Sequence, residues 1–304
     1  MSRIPASGTD GIPPILFFGG KGGVGKTTIA TALALGLAAA GRQVHLISVD
    51  PAHSLGDILD QPLDDSLRNI RPGLKARELS PDQALEHYMA SVRENMRAFA
   101  PPEFLGQAEA HVTRSARHPA ARESALFEAI CRLLCERQAD HLIFDTAPTG
   151  HALHLLSLPE SMQEWSDTLL AGTNRSQEQA QSGPAPAEAQ RWTGLRATLE
   201  ARQALFRQAR EQLRSAQTCG FVPVFNPDRA SLRETTRLLS ALHALGTGVP
   251  FLVANRCEEA TTPPEASGDA PLLRMPLQPA PCYGPSLLEC MGKQLYRQWL
   301  DSRE

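Results

Sequence analysis

The segment Ile15 to Thr28, ILFFGGKGGVGKTT, limits more than any other what this chain can become. Ile15-Leu16-Phe17-Phe18 is too short an apolar run for a core helix and reads as a strand covered on both faces. It passes directly into a loop dominated by glycine. A helix follows from about Lys26 to Ala40, with Gly41 suited to cap its end. Gln43 to Val49 then reads as a second buried strand, ending on Asp50. Strand, tight loop, helix and strand joined this closely make a crossover unit, with the two strands parallel in one sheet.

Gly20, Gly25, Lys26 and Thr27 fit the phosphate-loop pattern G-x-x-x-x-G-K-[ST], with the required strand before and helix after. Gly20, Gly22, Gly23 and Gly25, with Val24 among them, let successive backbone N–H groups turn inward around phosphate oxygens. The helix N-terminus adds partial positive charge. Lys26 is placed to neutralise the β- and γ-phosphates of ATP, the Thr27 hydroxyl to ligate Mg²⁺, and Thr28 to reach the α-phosphate. Composition gives an independent hint: four of the 30 Lys and Arg residues are lysines, and two of those, Lys21 and Lys26, sit in this loop. A compact ammonium fits a tight phosphate cradle better than a planar guanidinium fork. Lys21 departs from a plain phosphate loop, because a lysine so early points away from its own γ-phosphate.

Along the rest of the chain, 304 residues suffice for one large α/β domain, 1–304, carrying an insertion. From Ile58 to about Ala139 the pattern reads as helical, with Leu85, Met89, Val92, Met96 and Phe99 on one face. His141 to Phe144 is a further apolar strand, ending on Asp145. Helix resumes from Leu153, breaks at the polar stretch Asn174 to Gln190, and returns near Leu195 with Leu199, Phe206, Ala209 and Leu213 on one stripe. A helical subdomain from about 58–139 and 153–215 is therefore expected between sheet elements. The last third supplies the strand Phe221 to Phe225, in which Pro223 suits a central position poorly. A helix opened by the capping box Ser231-Leu232-Arg233-Glu234 and the strand Pro250 to Ala254 follow. The fold class expected is α/β: a doubly wound, mainly parallel sheet of P-loop NTPase type.

A net charge of −3 and a pI near 6.3 provide no electrostatic drive toward a phosphate backbone, so no nucleic-acid partner is expected. The longest apolar run, Ile29 to Ala40, is well short of the ~20 residues that span a bilayer, and the N-terminus lacks a signal-peptide pattern. Six irregularly spaced cysteines do not form a disulfide framework. A cytoplasmic protein with reduced cysteines is expected.

Two further segments carry chemistry. DPAHSLGD, Asp50 to Asp57, and DTAPTGH, Asp145 to His151, each begin with a carboxylate at the tip of a strand, where a doubly wound sheet gathers its ligands. Asp145 suits a water-mediated Mg²⁺ contact, leaving Asp50 beside the metal to polarise the attacking water. GGKGGVGKTT resembles the deviant Walker A loop of the family that includes the nitrogenase iron protein, the Min and Par positioning ATPases and the arsenite-pump ATPases. That resemblance implies a nucleotide-sandwich homodimer in which Lys21 acts across the interface. DPAHSLGD, DTAPTGH and the tail HALHLLSLP are similar to the switch segments of arsenical-pump ATPases and of the ATPases that target tail-anchored membrane proteins. By this resemblance the catalytic set is Asp50, Lys21 and Lys26. Asn255 and Arg256 form the end of the adenine-reading strand, and Pro276 and Leu277 belong to the adenine loop. No N-K-x-D guanine signature is present, which agrees with ATP.

The chain departs from both relatives. No cysteine lies between Cys135 and Cys219, where an arsenite ligand would be expected, and Cys131 and Cys135, spaced i, i+4, read first as packed apolar residues. No CxxC zinc clasp is present, and Cys257, Cys282 and Cys290 lack zinc spacing. Two roles follow: an ATPase that energises or gates a membrane pump for an anion or arsenite, or a nucleotide-switched factor that holds a hydrophobic membrane-protein segment. A Min-type positioning role ranks third. The Leu85 to Phe99 stripe could line a client groove but reads first as core.

Overall fold

The computed structural model describes residues 11–52, 54–99, 105–147, 186–258, 260–264, 267–279 and 282–303. In chain order these contain β1 (Ile15–Gly19), α1 (Lys26–Ala39), β2 (Val44–Ser48), α2 (Leu55–Leu59), β3 (Arg68–Arg71), β4 (Leu74–Glu78), α3 (Pro81–Phe99), α4 (Leu105–Ser115) and α5 (Pro119–Cys135). Then come β5 (His141–Asp145), α6 (Pro186–Arg214), β6 (Cys219–Phe225), α7 (Arg229–Ala244), β7 (Leu252–Cys257), β8 (Leu272–Pro276) and α8 (Pro285–Asp301). The strands form one sheet of order β3-β4-β2-β5-β1-β6-β7-β8. Every pairing is parallel except β3 with β4. This is the doubly wound, mainly parallel α/β sheet that the crossover pattern predicts, with β1 near its centre.

β1 is buried at every residue, which is why it reads as an unbroken apolar run rather than an alternating one. Phe17 on β1 and Phe144 on β5 are register partners, and their rings stack at 4.6 Å. Helix α1 is apolar almost all round, as a helix enclosed by protein must be. It ends as expected at Gly41, where the Gly41 and Arg42 N–H groups donate to Ala38 and Leu37 carbonyls. Along its length α1 meets α8 backbone to backbone. A Cβ at Gly36 would lie 2.4 Å from the Gly292 carbonyl carbon, and one at Gly292 only 1.8 Å from the Ala32 oxygen.

Four local expectations change, one of them that α6 begins at Pro186, inside the polar stretch expected to break the helix as far as Gln190. The stretch 58–79, read as helical, contains the end of α2 and then the β3–β4 hairpin; strand β4 alternates buried and less buried residues, Leu74, Ala76 and Glu78 facing inward, a period of two hidden among its charged residues. Helix α7 begins at Arg229 rather than at the Ser231 box. Its N-cap is Asp228, whose carboxylate accepts from the Ala230 and Ser231 amides, while the buried Ser231 hydroxyl accepts from the Asn226 amide. Pro223 does lie in an interior strand. The Phe221 amide, two residues earlier and facing the same way, donates toward β7 to the Gly248 carbonyl, and strand pairing with β7 begins only at Val224. The missing N–H of Pro223 thus falls where the ladder has not started.

The described residues fall into two compact units. The sheet unit holds those up to Leu79, from Arg137 to Ala147 and from Gln212 onward. The other holds those from Ser80 to Glu136 and from Pro186 to Glu211, and is helical. Within the helical unit, Ala84, Leu85 and Met89 of α3 pack with Ala125 of α5, and the Phe127 and Phe206 rings stack at 5.8 Å. Arg202 reaches Glu128 at 3.0 Å and lies over the Tyr88 ring at 5.0 Å. Among the described residues no helix is long and apolar enough to cross a membrane.

Two expected outcomes follow from this packing. Gly292→Ala should lower unfolding stability by roughly 1–3 kcal/mol, because the added methyl overlaps backbone that cannot rotate away; an unchanged urea midpoint would show that the helices separate without cost. His45 on β2 has its pKa lowered to about 4, first by burial and then by Lys75, its register partner, and by Arg77. It is neutral when folded, whereas the unfolded chain takes up its proton below about 6.5. Its contribution is therefore complete above that pH and is lost as pH falls from about 6.5 toward 4. The stability difference between wild type and His45→Gln should shrink across that window and stay level above it.

Candidate functional site

The parallel register brings three strand ends together. Asp145, last residue of β5, is the register partner of Phe18 on β1 and of Ser48 on β2. The phosphate loop leaves β1 one residue after Phe18, and Asp50 lies two residues beyond Ser48. Residues distant in sequence thereby share the carboxyl edge of the sheet, at the point where consecutive crossovers depart in opposite directions.

The loop closes by a Val24 N–H to Lys21 carbonyl bond of 3.4 Å. Lys26 opens α1 and is only 6% exposed. Gly25, with φ of 90°, adopts the left-handed region, and a Cβ there would lie 2.4 Å from the Asn255 amide nitrogen. Among the described residues, a Cβ at Gly22 or Gly23 would meet nothing within 4 Å. Lys21, Thr27 and Thr28 are half-buried at the rim.

Asp145 is fully buried, and burial pushes its carboxyl up to about 7. The Thr27 hydroxyl and the Lys26 charge act against that rise, and the Asp50 carboxylate adds to it. Its Oδ2 accepts from the Ser48 hydroxyl at 3.4 Å, while Oδ1 has no hydrogen-bond partner among the described residues. A buried carboxylate oxygen without a donor beside a buried ammonium is an incomplete electrostatic set. Phosphate oxygens against Lys26, with a divalent cation between the Thr27 hydroxyl and Asp145, would complete it, so the residues present fit a nucleotide phosphate and its metal.

Asp50 is half-buried and held in a local turn. Its Oδ1 accepts from the Ala52 amide at 3.0 Å, and its own amide donates to Ser48 Oγ at 3.3 Å. On the far side of the loop, β7 carries Asn255 and Arg256, and β8 ends at Pro276, followed by Leu277, which is 69% exposed. Asn255 and Met275 are register partners, as are Cys257 and Pro276, with Arg256 bulged out between them in the left-handed region at φ 51°. The four residues expected on the adenine side thus stand together at one strand end. Asn255, however, is bound to the phosphate loop, its Nδ2 donating to the Val24 carbonyl at 2.8 Å. The segment after Ala147, including His151 and the run Met162 to Leu170, and also His53, lie outside the described residues.

Several polar residues join the site without having been singled out from the sequence. Ser48 links Asp50 and Asp145. Ser54 places its hydroxyl 3.4 Å from that of Thr27. Glu78, buried at the end of β4, accepts from the Gly56 amide at 3.0 Å. Thr146 donates to the Phe18 carbonyl at 2.7 Å. Ser48 was findable, since it is the polar residue ending an apolar strand two positions before a carboxylate. Glu78 was hidden by the helical reading of its segment.

Residues 14–264 match the model of the family described as anion-transporting ATPase. The chain belongs to this family. It is 32% identical over 250 residues to an arsenical pump-driving ATPase of Acidiphilium multivorum, an alignment covering 80% of this chain and 39% of that protein. It is 29% identical over 245 residues to a putative arsenical pump-driving ATPase of Aquifex aeolicus, covering 80% and 79%. It is 30% identical over 267 residues to the ATPase get3 of Neurospora crassa, covering 81% and 76%. The chain thus spans about two fifths of the Acidiphilium protein and about three quarters of the other two.

Cys131 and Cys135 do not form an accessible soft-ligand pair. Cys131 is fully buried, and burial, then Cys135 and Glu128, raise its pKa well above the ordinary value. Burial, with Glu136 adding to it, pushes Cys135 up to about 11, and its Sγ lies 3.7 Å from the Leu205 carbonyl. Because thiolates are the nucleophiles and the soft ligands, both should resist alkylation in the native protein at neutral pH, while the exposed Cys290 reacts. Mass spectrometry after brief iodoacetamide treatment checks this; rapid labelling of Cys131 would show an opening that the packing does not provide.

Proposed function

We propose that the chain is an ATPase that binds Mg·ATP at the Gly20–Thr28 loop and hydrolyses it as a nucleotide-sandwich homodimer. The observation that supports this most is the meeting of Lys26, Thr27, Asp50 and Asp145 at one edge of the sheet, with Lys26 and Asp145 buried. Loop amides and Lys26 would hold the phosphates, Thr27, Asp50 and, through a water, Asp145 would hold Mg²⁺, and Asp50 orients the attacking water. When bound, Mg²⁺ neutralises charge on the phosphate oxygens. Ser48 holds the Asp50 backbone and so fixes where the carboxylate starts from. Asn255, Arg256, Pro276 and Leu277 take the adenine. Lys21 serves the partner's nucleotide, a role drawn from the family resemblance and compatible with its half-buried place at the rim.

ATP-driven switching of such a dimer energises or gates a membrane transport partner, with anion or arsenite efflux the transport class suggested by the relatives' names. The alternative, a targeting factor or chaperone for hydrophobic membrane-protein segments, needs an open apolar groove. Leu85 and Met89, candidates for lining one, are instead buried in the helical unit's own core. That observation favours the transport reading, with arsenite acting, where it acts at all, through something other than the Cys131–Cys135 pair.

Asp50→Asn should bind ATP nearly normally while turnover falls on the order of 10²–10⁴-fold; unchanged turnover moves the catalytic role to another residue. Lys26→Ala should abolish tight ATP binding. Mixing Lys21→Ala with Asp50→Asn tests the dimer. If Lys21 acts in trans, both losses fall in one composite site, and each heterodimer should regain about half of wild-type activity from its intact site. Activity that stays low after mixing contradicts the trans assignment.

A further inference from the structure

The amide of Asn255 faces the phosphate loop with both of its ends engaged. It is 7% exposed. Nδ2 donates to the Val24 carbonyl at 2.8 Å, and Oδ1 accepts from the Arg256 N–H at 3.0 Å. Chemistry fixes this orientation: a flipped amide would set oxygen against the Val24 oxygen and NH₂ against the Arg256 N–H, two repulsive contacts in place of two bonds. The approach is also close, since the amide nitrogen occupies the position that a side chain at Gly25 would need.

We propose that Asn255 is a positioning residue of the phosphate loop. It holds the Val24–Gly25 peptide in the orientation that receives the anion, in addition to any contact with the base. In a planar trans peptide the C=O of one residue and the N–H of the next point in opposite directions. Holding the Val24 oxygen against β7 therefore turns the Gly25 N–H away from β7, and Lys26 follows directly. Without the Asn255 amide, the Val24 carbonyl would be a buried acceptor lacking its donor, and rotating the peptide to find another would turn the Gly25 N–H with it. The amide keeps one N–H and one oxygen lone pair unused, enough for a bidentate contact with a base. Base recognition and phosphate recognition then share one side chain. This inference rests on the nucleotide-binding reading above.

A ligand without a base separates the two roles. Wild type, Asn255→Ala and Asn255→Asp are titrated calorimetrically with Mg·ATP and with Mg·tripolyphosphate. Tethering predicts that Asn255→Ala weakens tripolyphosphate about tenfold, for one buried carbonyl left unpaired, and Mg·ATP by at least that factor, with binding stoichiometry unchanged. A lowered stoichiometry with an unchanged Kd in the protein that remains folded would overturn the proposal. Asn255→Asp retains the shape but sets a carboxylate oxygen against the Val24 carbonyl, so it should weaken tripolyphosphate at least as much, and it carries the comparison if the alanine variant does not fold. Weakened ATP binding with unchanged tripolyphosphate binding in these variants reduces Asn255 to a base contact and overturns the tether. Wild type that binds neither ligand overturns the nucleotide reading itself, and the inference with it.

Discussion

The contact between α1 and α8 through Gly36 and Gly292 fixes the base on which the site is built. Two helices without side chains at the crossing approach until backbone meets backbone. Helix α1 is then held on one side by α8 and on the other by the apolar sheet, with Leu33, Leu37 and Leu295 in the same core. Interiors packed this way admit little displacement. The first residue of α1 is Lys26, so the rigidity of the helix behind the loop becomes precision in the place of a buried ammonium. In the proposed reading, phosphate oxygens against that ammonium, together with the Asp145 carboxylate, offset the cost of burying its charge.

Register supplies the second half of the site. A one-residue slip between β5 and its neighbours would turn the Asp145 side chain to the opposite face and separate it from Thr27 and Ser48. Burial on both faces prevents the slip: Phe17 and Phe144 stack across the same ladder that pairs Phe18 with Asp145. Packing energy from aromatic residues thereby sets the position of a carboxylate that burial alone would disfavour. Asn255 extends the same logic to the other side of β1, joining the loop to β7 by a side-chain bond where no strand pairing could reach.

The parts of this arrangement that were legible in the sequence are those where one local pattern has one physical cause. A run of apolar residues entering a glycine loop reads as β1 and the loop, because few other structures bury the one and free the backbone of the other. The apolar strand ending on Asp145 reads correctly for the same reason, while the one leading to Asp50 stops two residues short of it. The β3–β4 hairpin was illegible because LKARE carries its two-residue period beneath charged residues, and helix patterns flank it. The start of α7 was misread because Asp228 and Ser231 are both good capping residues, and the choice between them depends on the Asn226 amide, a neighbour in space that claims the Ser231 hydroxyl. The Asn255 bond to Val24 spans 231 positions, and no sequence pattern records it.

The segment from Asp50 to Leu59 shows how unevenly the site is held. Its helical end is fixed through backbone groups. Gly56 N–H donates to the buried Glu78, and the Ile58 carbonyl accepts from the Gly284 N–H at 3.0 Å, just where α8 begins. Among the described residues, its phosphate end reaches the loop through one long hydroxyl pair, Ser54 with Thr27 at 3.4 Å. Thr27 has a single proton to donate, and Asp145 draws on the same hydroxyl. Asp50 lies in this weakly held end, anchored by Ser48 and by its own turn to Ala52. The carboxylate proposed to act on water therefore sits where the chain is tied to the sheet by short local bonds and to the phosphate loop by a long contact, while the rigid ties lie behind it.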